Sequence, residues 1–306
     1  MFTAEALLNA GKTFLVLFGE LLVLFIGISF VVALLQIYIS QERIKHVLTT
    51  PRKSLNSVLG ALLGAVTPFC SCSTIPVLVG LFKSGAPFSG AISFLLTSPI
   101  LNPAIITLML AFFGLKATII YAIVTFIFAV VMGIVLDKLG FEREIKNVSI
   151  KGGHTTITWE KLSGTFWQKQ SQVMKLAFKD SFGLFKDVFL YLLLGAGIGA
   201  FIYGFVPTDL LGRFAGKDNL WAVPLAALVG IPMYIRTETM IPIASVLIAK
   251  GVAPGVTIAL ILGGAGASIP EVSLLSSIFK KKMVIAFVMC IFLVATITGY
   301  IFNLVF

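Results

Sequence analysis

The sequence predicts an all-α polytopic membrane protein of about eight transmembrane segments, arranged as two internally duplicated halves with broken or re-entrant helices at the repeat interface. Three observations carry that expectation. Of 306 residues, 58% are hydrophobic and 12% charged, against about a quarter charged in soluble domains. Uncharged runs of membrane length recur along the chain, and a helix needs about 20 apolar residues to cross the hydrocarbon core. Finally, a shift of 166 lays ALLGAVTPFCSCSTIPVLVGLFKSG (61–85) on ALVGIPMYIRTETMIPIASVLIAKG (227–251), where Gly64, Ile75, Pro76 and Gly85 meet Gly230, Ile241, Pro242 and Gly251. Shared composition supplies matching leucines by chance, but matching Pro and Gly less readily.

The elements follow in order. Phe14–Tyr38, broken only by Glu20, is too long for the h-region of a cleavable signal and has no small-x-small site after it, so it is expected to be the first span. Ser54–Phe82 and Ser84–Leu115 are 29 and 32 residues long, long for single crossings. They fit tilted spans or pairs of half-helices that dip in and return. Ala117–Leu136 closes the first membrane half, 1–136, whose repeat unit is 55–136. A basic polar linker, 137–186, follows. Near its end Met174, Phe178, Phe182, Phe185 and Phe189 recur at helical spacing between lysines, which suits an interfacial amphipathic helix or a plain extension of the next span. The second half, 187–306, holds the runs Val188–Thr208, Leu220–Ile235, Gly251–Pro270 and Met283–Phe306, with a repeat unit of 220–306. An even number of crossings in each repeat unit predicts an axis along the membrane normal. Loop charges show little asymmetry on this scheme and leave the orientation open.

The net charge of +10 does not point to nucleic acid, because no basic run carries interleaved stacking aromatics. Lysines and arginines collected in loops orient membrane proteins and meet anionic lipid headgroups. Three cysteines make no disulfide framework. His46 and His154 lie in polar segments, so no histidine metal cluster is expected in the membrane. GAGIGA (195–200) lacks the dinucleotide-loop spacing and lies inside a span, where small residues favour close helix packing. No cofactor is implied.

Matching Gly/Pro interruptions in two halves mark transporter binding sites. Here Pro68 and Pro76 answer Pro232 and Pro242, and TSPILNPA (97–104) answers GGAGASIPE (263–271). Between the first breakers stand Cys70 and Cys72, flanked by Thr67, Ser71 and Ser73. Residues two apart do not face each other on a helix, whereas in an unwound segment both thiols reach one ion. Soft thiolates select soft metals and metalloids. Cys290, alone in the last span, is expected to be a small buried hydrophobe. The repeat sets Arg236 opposite Cys70 and Glu238 opposite Cys72, while Glu271 stands in the next break. Intramembrane ionisable residues either pair or mark a pathway or proton relay, and both readings stay open here. Asn102 is a further polar candidate, and Glu20 a weaker one.

TPFCSCSTIPVLVGL together with the downstream SP.LNP resembles the arsenical efflux permeases (ArsP-type) and related uncharacterised bacterial permeases, over both hydrophobic blocks. The resemblance implies a multi-pass permease of the bacterial inner membrane, a secondary transporter and not an enzyme. It further implies export of trivalent organoarsenicals with Cys70 and Cys72 as the metalloid ligands. A monosubstituted arsenical such as methylarsenite has two exchangeable positions, which two thiolates fill. Arsenite would want a third thiol, and only Cys290 is left. No GxxxxGK[ST] motif is present, so coupling falls to an ion gradient, with Glu238 or Glu271 as the proton carrier, or to substrate loss alone. The alternative class is a membrane thiol-redox protein passing electrons across the bilayer. That chemistry more typically shows C-x-x-C and a second redox pair, and neither is present. The expected partners are a small-molecule or metalloid substrate and membrane lipid, and a homo-oligomer is compatible with all of this.

Overall fold

The computed structural model describes residues 48–67, 71–83, 85–146, 167–179, 182–183, 221–232 and 251–306, with scattered helical positions between 19 and 34 and between 237 and 248. Among these residues the fold is all-helical apart from one isolated antiparallel bridge between Ile145 and Phe279. The first block holds α1 (Lys53–Val66), α2 (Ser71–Lys83), α3 (Phe88–Thr97), α4 (Pro103–Lys138) and a 3₁₀ turn, Phe141–Glu144. Helix α5 covers 167–179. The second block holds α6 (Ala222–Gly230), α7 (Pro254–Gly266), α8 (Ile269–Ile278) and α9 (Lys281–Val305). Among the described residues, α4 and α9 are long and apolar enough to cross a bilayer, with mean hydropathies of 2.9 and 2.5. The pair α7–α8, bent by 44° at its break, has the length and composition of one broken span.

The first block folds back on itself twice. Helix α1 ends at Thr67, which precedes Pro68 and sits in extended backbone, φ −86° and ψ 133°. The proline ring excludes the α conformation there. Helices α1 and α3 run parallel: a side chain at Gly60 would strike the Gly90 carbonyl, and one at Gly64 would come within 3.0 Å of the Phe94 carbonyl. Near the helix starts, Ser89 Oγ donates to the Lys53 carbonyl at 3.4 Å. Helix α2 must therefore carry the chain back from the end of α1 to its beginning, so α1 and α2 form a hairpin with its tip at 67–70. The return ends in a Schellman cap: Gly85 at φ 78°, with Gly85 N–H donating to Phe82 and Ala86 N–H to Leu81. Glycine alone takes that left-handed position without strain.

Asn102 and Pro103 start α4 as N-cap and N1. Gly114, at φ 78° and ψ 173°, breaks it, and the break is a reversal. The Tyr121 hydroxyl donates to the Ile100 carbonyl at 2.6 Å, whereas a straight helix would hold these residues about 30 Å apart. From 115 to 138 the helix then descends antiparallel to α3. Ser93 Oγ donates to the Ala129 carbonyl at 3.1 Å, and a side chain at Gly133 would meet the Ser89 carbonyl at 2.8 Å. Lys53 and Asp137 close the descent with a 3.0 Å ion pair.

The second block repeats these contacts at an offset of 166. Gly230 approaches the Leu260 carbonyl as Gly64 does that of Phe94, and Gly299 approaches the Gly255 carbonyl as Gly133 does that of Ser89. The Schellman cap recurs, with Gly251 at φ 95° donating to Ile248 and Val252 to Leu247. In place of the Gly114 reversal, Phe279 and Lys280 adopt extended backbone between α8 and α9. Two exposed stripes also correspond: Ile119, Ile123, Ile127 and Val131 on α4, and Ile285, Met289, Leu293 and Ile297 on α9. Apolar side chains four apart on one open helix face are what a lipid-facing surface requires.

The two blocks run in opposite senses. Lys146 N–H donates to the Ile278 carbonyl at 2.8 Å and Lys280 N–H to the Glu144 carbonyl at 2.9 Å, so the exit of the first block meets the α8–α9 joint. At the other end the Lys116 ammonium lies over the Phe306 ring at 5.1 Å, so the Gly114 joint meets the exit of the second block. The core is shared accordingly. One cluster joins Ile92, Leu96, Ala129 and Leu136 to Leu275, Met283 and Phe287 of the other block. Its counterpart joins Ile258, Leu262, Ala295 and Phe302 to Met109, Ala117 and Tyr121. Each residue named here from one cluster answers one named from the other at an offset of 166. Lipid tails are as apolar as leucine, so this close packing, more than removal from water, holds the helices together.

Candidate substrate site at the helix breaks

Both breaks of the first block lie where the sequence places them, but the first is shorter than expected. The Pro68–Pro76 interval is not unwound throughout: α2 starts at Ser71 and passes through Pro76. Ser71, Cys72 and Ser73 form its first turn, and their side-chain surroundings lie outside the described residues, as does Cys70 altogether. Proline inside a helix lacks the N–H that would bond four residues back. Here that carbonyl belongs to Cys72, so Pro76 frees a backbone acceptor beside the thiol position instead of ending the helix. Membrane helices tolerate this where protein or water supplies a partner.

Thr67 uses its hydroxyl locally, donating to the Leu63 carbonyl at 2.7 Å and so covering one of the open carbonyls at the end of α1. Asn102, buried, accepts the Ile105 N–H at 2.8 Å, which commits its carbonyl oxygen to capping α4. Thr74, not singled out from sequence, is fully buried. Its hydroxyl donates to Ser98 Oγ at 3.1 Å, tying the first turns of α2 to the α3–α4 break. The available signal was positional: Thr74 stands four residues before Leu78, on the face that enters the core.

In the second block Ser268 stands at the N-cap position of α8, the place of Asn102 166 residues on, without a side-chain cap hydrogen bond, and Pro270 follows. Glu271 is 0% exposed, and neither carboxylate oxygen has a hydrogen-bond partner among the described residues. Ser-Ile-Pro-Glu is a capping-box sequence. The Ser268 amide lies toward the carboxylate without completing a bond to it. Arg236 and Glu238 lie outside the described residues. Between them Thr237, the counterpart of Ser71, is buried and helical. Glu20 also lies outside them. Cys290 is buried at 2% exposure in the first core cluster, where it packs as a hydrophobe. Among the described residues no three His, Cys, Asp or Glu side chains gather into a metal site.

The arrangement thus offers a buried carboxylate that has no partner among the described residues, a polar helix cap at Asn102 and a freed backbone carbonyl, all at breaks inside apolar stretches. Such features take up a proton or a small polar solute, and among the described residues they supply no nucleophile–base pair.

Comparison with known proteins agrees with a membrane permease. The sequence profile of a family described as predicted permease, ArsP_1, matches residues 7–304. A UPF0718 protein of Methanocaldococcus jannaschii is 23% identical over 86% of each chain. The UPF0718 protein YcgR of Bacillus subtilis is 26% identical over 82% of each. A putative two-component membrane permease complex subunit of Streptococcus mutans is 26% identical over 83% of this chain and 81% of its own. No solved structure matches. With nearly its whole length matched, the chain belongs to the ArsP_1 family of predicted permeases.

Proposed function

We propose that this permease is a secondary transporter that exports a thiophilic solute, with trivalent organoarsenicals such as methylarsenite as the substrate class. Cys70 and Cys72 take the two exchangeable arsenic positions, and Glu271 carries a proton in exchange, with Arg236 and Glu238 completing the site from the other repeat. The observation that carries the transport reading is Glu271 at the α7–α8 break, fully buried and with no hydrogen-bond partner among the described residues. A charge there costs several kcal/mol unless paired or wetted, and by default marks a pathway. The recurring contacts at an offset of 166 support a duplicated architecture, with the site between the repeats. The thiol ligands rest on the sequence motif.

The test is growth of expressing cells challenged with methylarsenite, arsenite, antimonite, copper and mercury, followed by uptake into inverted membrane vesicles under an imposed pH gradient. Resistance to methylarsenite with gradient-dependent vesicle uptake is expected. Unchanged sensitivity to all five, at verified expression, would sink the substrate assignment.

A further inference from the structure

The geometry points to an inverted-topology pair of three-crossing repeats. The re-entrant α1–α2 hairpin and its counterpart beginning with α6 enter the membrane from opposite faces, the α3–α4 and α7–α8 breaks lie at mid-depth around one solute position, and the Lys/Arg-rich face is cytoplasmic. The mechanistic half of this inference rests on the permease reading above; the topology does not.

Three observations carry it. First, α1 has 14 residues, about 21 Å, so it cannot cross a core of about 30 Å, and α2 brings the chain back to the Lys53 level. This hairpin therefore enters and leaves on one face. Its tip lies beside the α3–α4 break, because Thr74 bonds Ser98. That break sits well inside the bilayer, where Ile100 meets Tyr121. In the second block the corresponding Gly266 lies against Ile291, midway along α9. Second, each block's exit meets the other's joint, through Lys146–Ile278 and Lys280–Glu144 at one face and Lys116–Phe306 at the other. A rotation about an axis in the membrane plane produces that exchange, and an axis along the normal does not. Third, the chain between 146 and 221 must then cross an odd number of times, and the uncharged run 188–208 supplies one crossing. With the first span, each repeat has three crossings and one hairpin.

This path resolves the charge question. The face holding Lys53 and Asp137 collects four Lys/Arg from 41–53, Lys83, nine from 138–186 and three from 280–282, or 17 of 23. The opposite face holds Lys12, Lys116, Arg213, Lys217 and Lys250, and Arg236 lies within a span. An excess of that size in loops near span ends marks the cytoplasmic side. It is invisible when 116 and 280–282 are assigned to one face, as eight simple spans would have it.

Topology can be read without any substrate. Single cysteines at Lys116 and Lys281 are introduced into a background lacking Cys70, Cys72 and Cys290, then labelled with a membrane-impermeant maleimide in intact cells and in inverted vesicles. Lys116→Cys is expected to label only in cells, and Lys281→Cys only in vesicles. Labelling of both from one side overturns the inverted arrangement, and the reversed pattern overturns the orientation. Should either variant misfold, epitopes inserted in 151–160 and after Phe306 of the otherwise unaltered chain decide. Protease access to the first only in vesicles and to the second only in cells is expected; access to both from one side overturns the proposal. If the topology stands and no solute is exported, only the substrate reading has failed.

Discussion

At position 271 a carboxylate shares one helical turn with Pro270 and the Ser268 cap, and two functions compete for it. If Glu271 carries the transported proton, Glu271→Gln keeps the shape and cannot titrate. Gradient-driven export should then stop while substrate binding by detergent-solubilised protein is retained. A purely capping role predicts instead that Glu271→Gln, which still fits the capping box, leaves transport per folded molecule unchanged, while Glu271→Ala lowers the thermal midpoint by about 1 kcal/mol of stability. The thiols invite a non-additivity test. Cys70→Ser or Cys72→Ser alone should abolish methylarsenite resistance, with the double variant no worse, because two ligands of one atom act as a unit. Cys290→Ala should leave resistance intact, and retained resistance in both single serine variants would end the thiol-ligand idea. At this scale the sequence showed which residues stand at the breaks. It did not show that Thr67 and Asn102 would commit oxygens or hydroxyls to helix ends, because capping depends on where each helix stops to within one residue.

The helices are held by contacts in which one backbone touches another, so glycine substitutions probe them directly. A side chain at Gly60 would strike the Gly90 carbonyl, whereas one at Gly27 would meet nothing within 4 Å. Gly60→Ala should cost about 1–3 kcal/mol by overpacking and lower the midpoint of thermal unfolding in detergent; Gly27→Ala should leave it unchanged. The ends of α1 and α4 offer a pH test. The hydrogen bond that Lys53 donates to Asp137, and then the Asp137 charge, hold the Lys53 ammonium above its ordinary value of 10.5. The folded state therefore keeps that proton better than the unfolded chain does. The contribution is full below pH 10.5 and is lost as pH rises through the folded value. Lys53 is largely exposed, so the effect is small and weakened by salt. Lys53→Met should lower the midpoint slightly at pH 8, and the gap to the parent should close well above pH 10.5. Span-length runs and their Pro/Gly punctuation were legible in sequence. The reversal at Gly114 was not: nothing in the flanking apolar residues distinguishes a turn with φ 78° from a kink, and Lys116 passed for an ordinary loop charge. Pro76 misled in the other direction, since a proline within a buried helix need not end it.

At the scale of the whole molecule, the β-bridge between Ile145 and Phe279 fixes how the blocks meet. Opposed residues of an antiparallel bridge lie about 4.5–5.5 Å apart between Cα atoms, within reach of a disulfide. Ile145→Cys with Phe279→Cys, in a background lacking the native cysteines, should therefore cross-link on oxidation. A protease site inserted in 151–160 then reports it: cleaved chains stay joined until reduced, and separation under oxidising conditions would refute the bridge. The pairing of the two blocks was visible in the sequence as a shift of 166, but their opposite sense was not. Sense depends on whether α2 returns or continues, and apolar runs alone do not contain that information. The glycine-to-carbonyl contacts of α1 with α3 and of α6 with α7 have an electrical consequence as well. Where two backbones touch there is no crevice for a file of water molecules, and protons cross membranes along such files. On the proposed gradient-driven mechanism the gradient must not be short-circuited, and these seams close that leak.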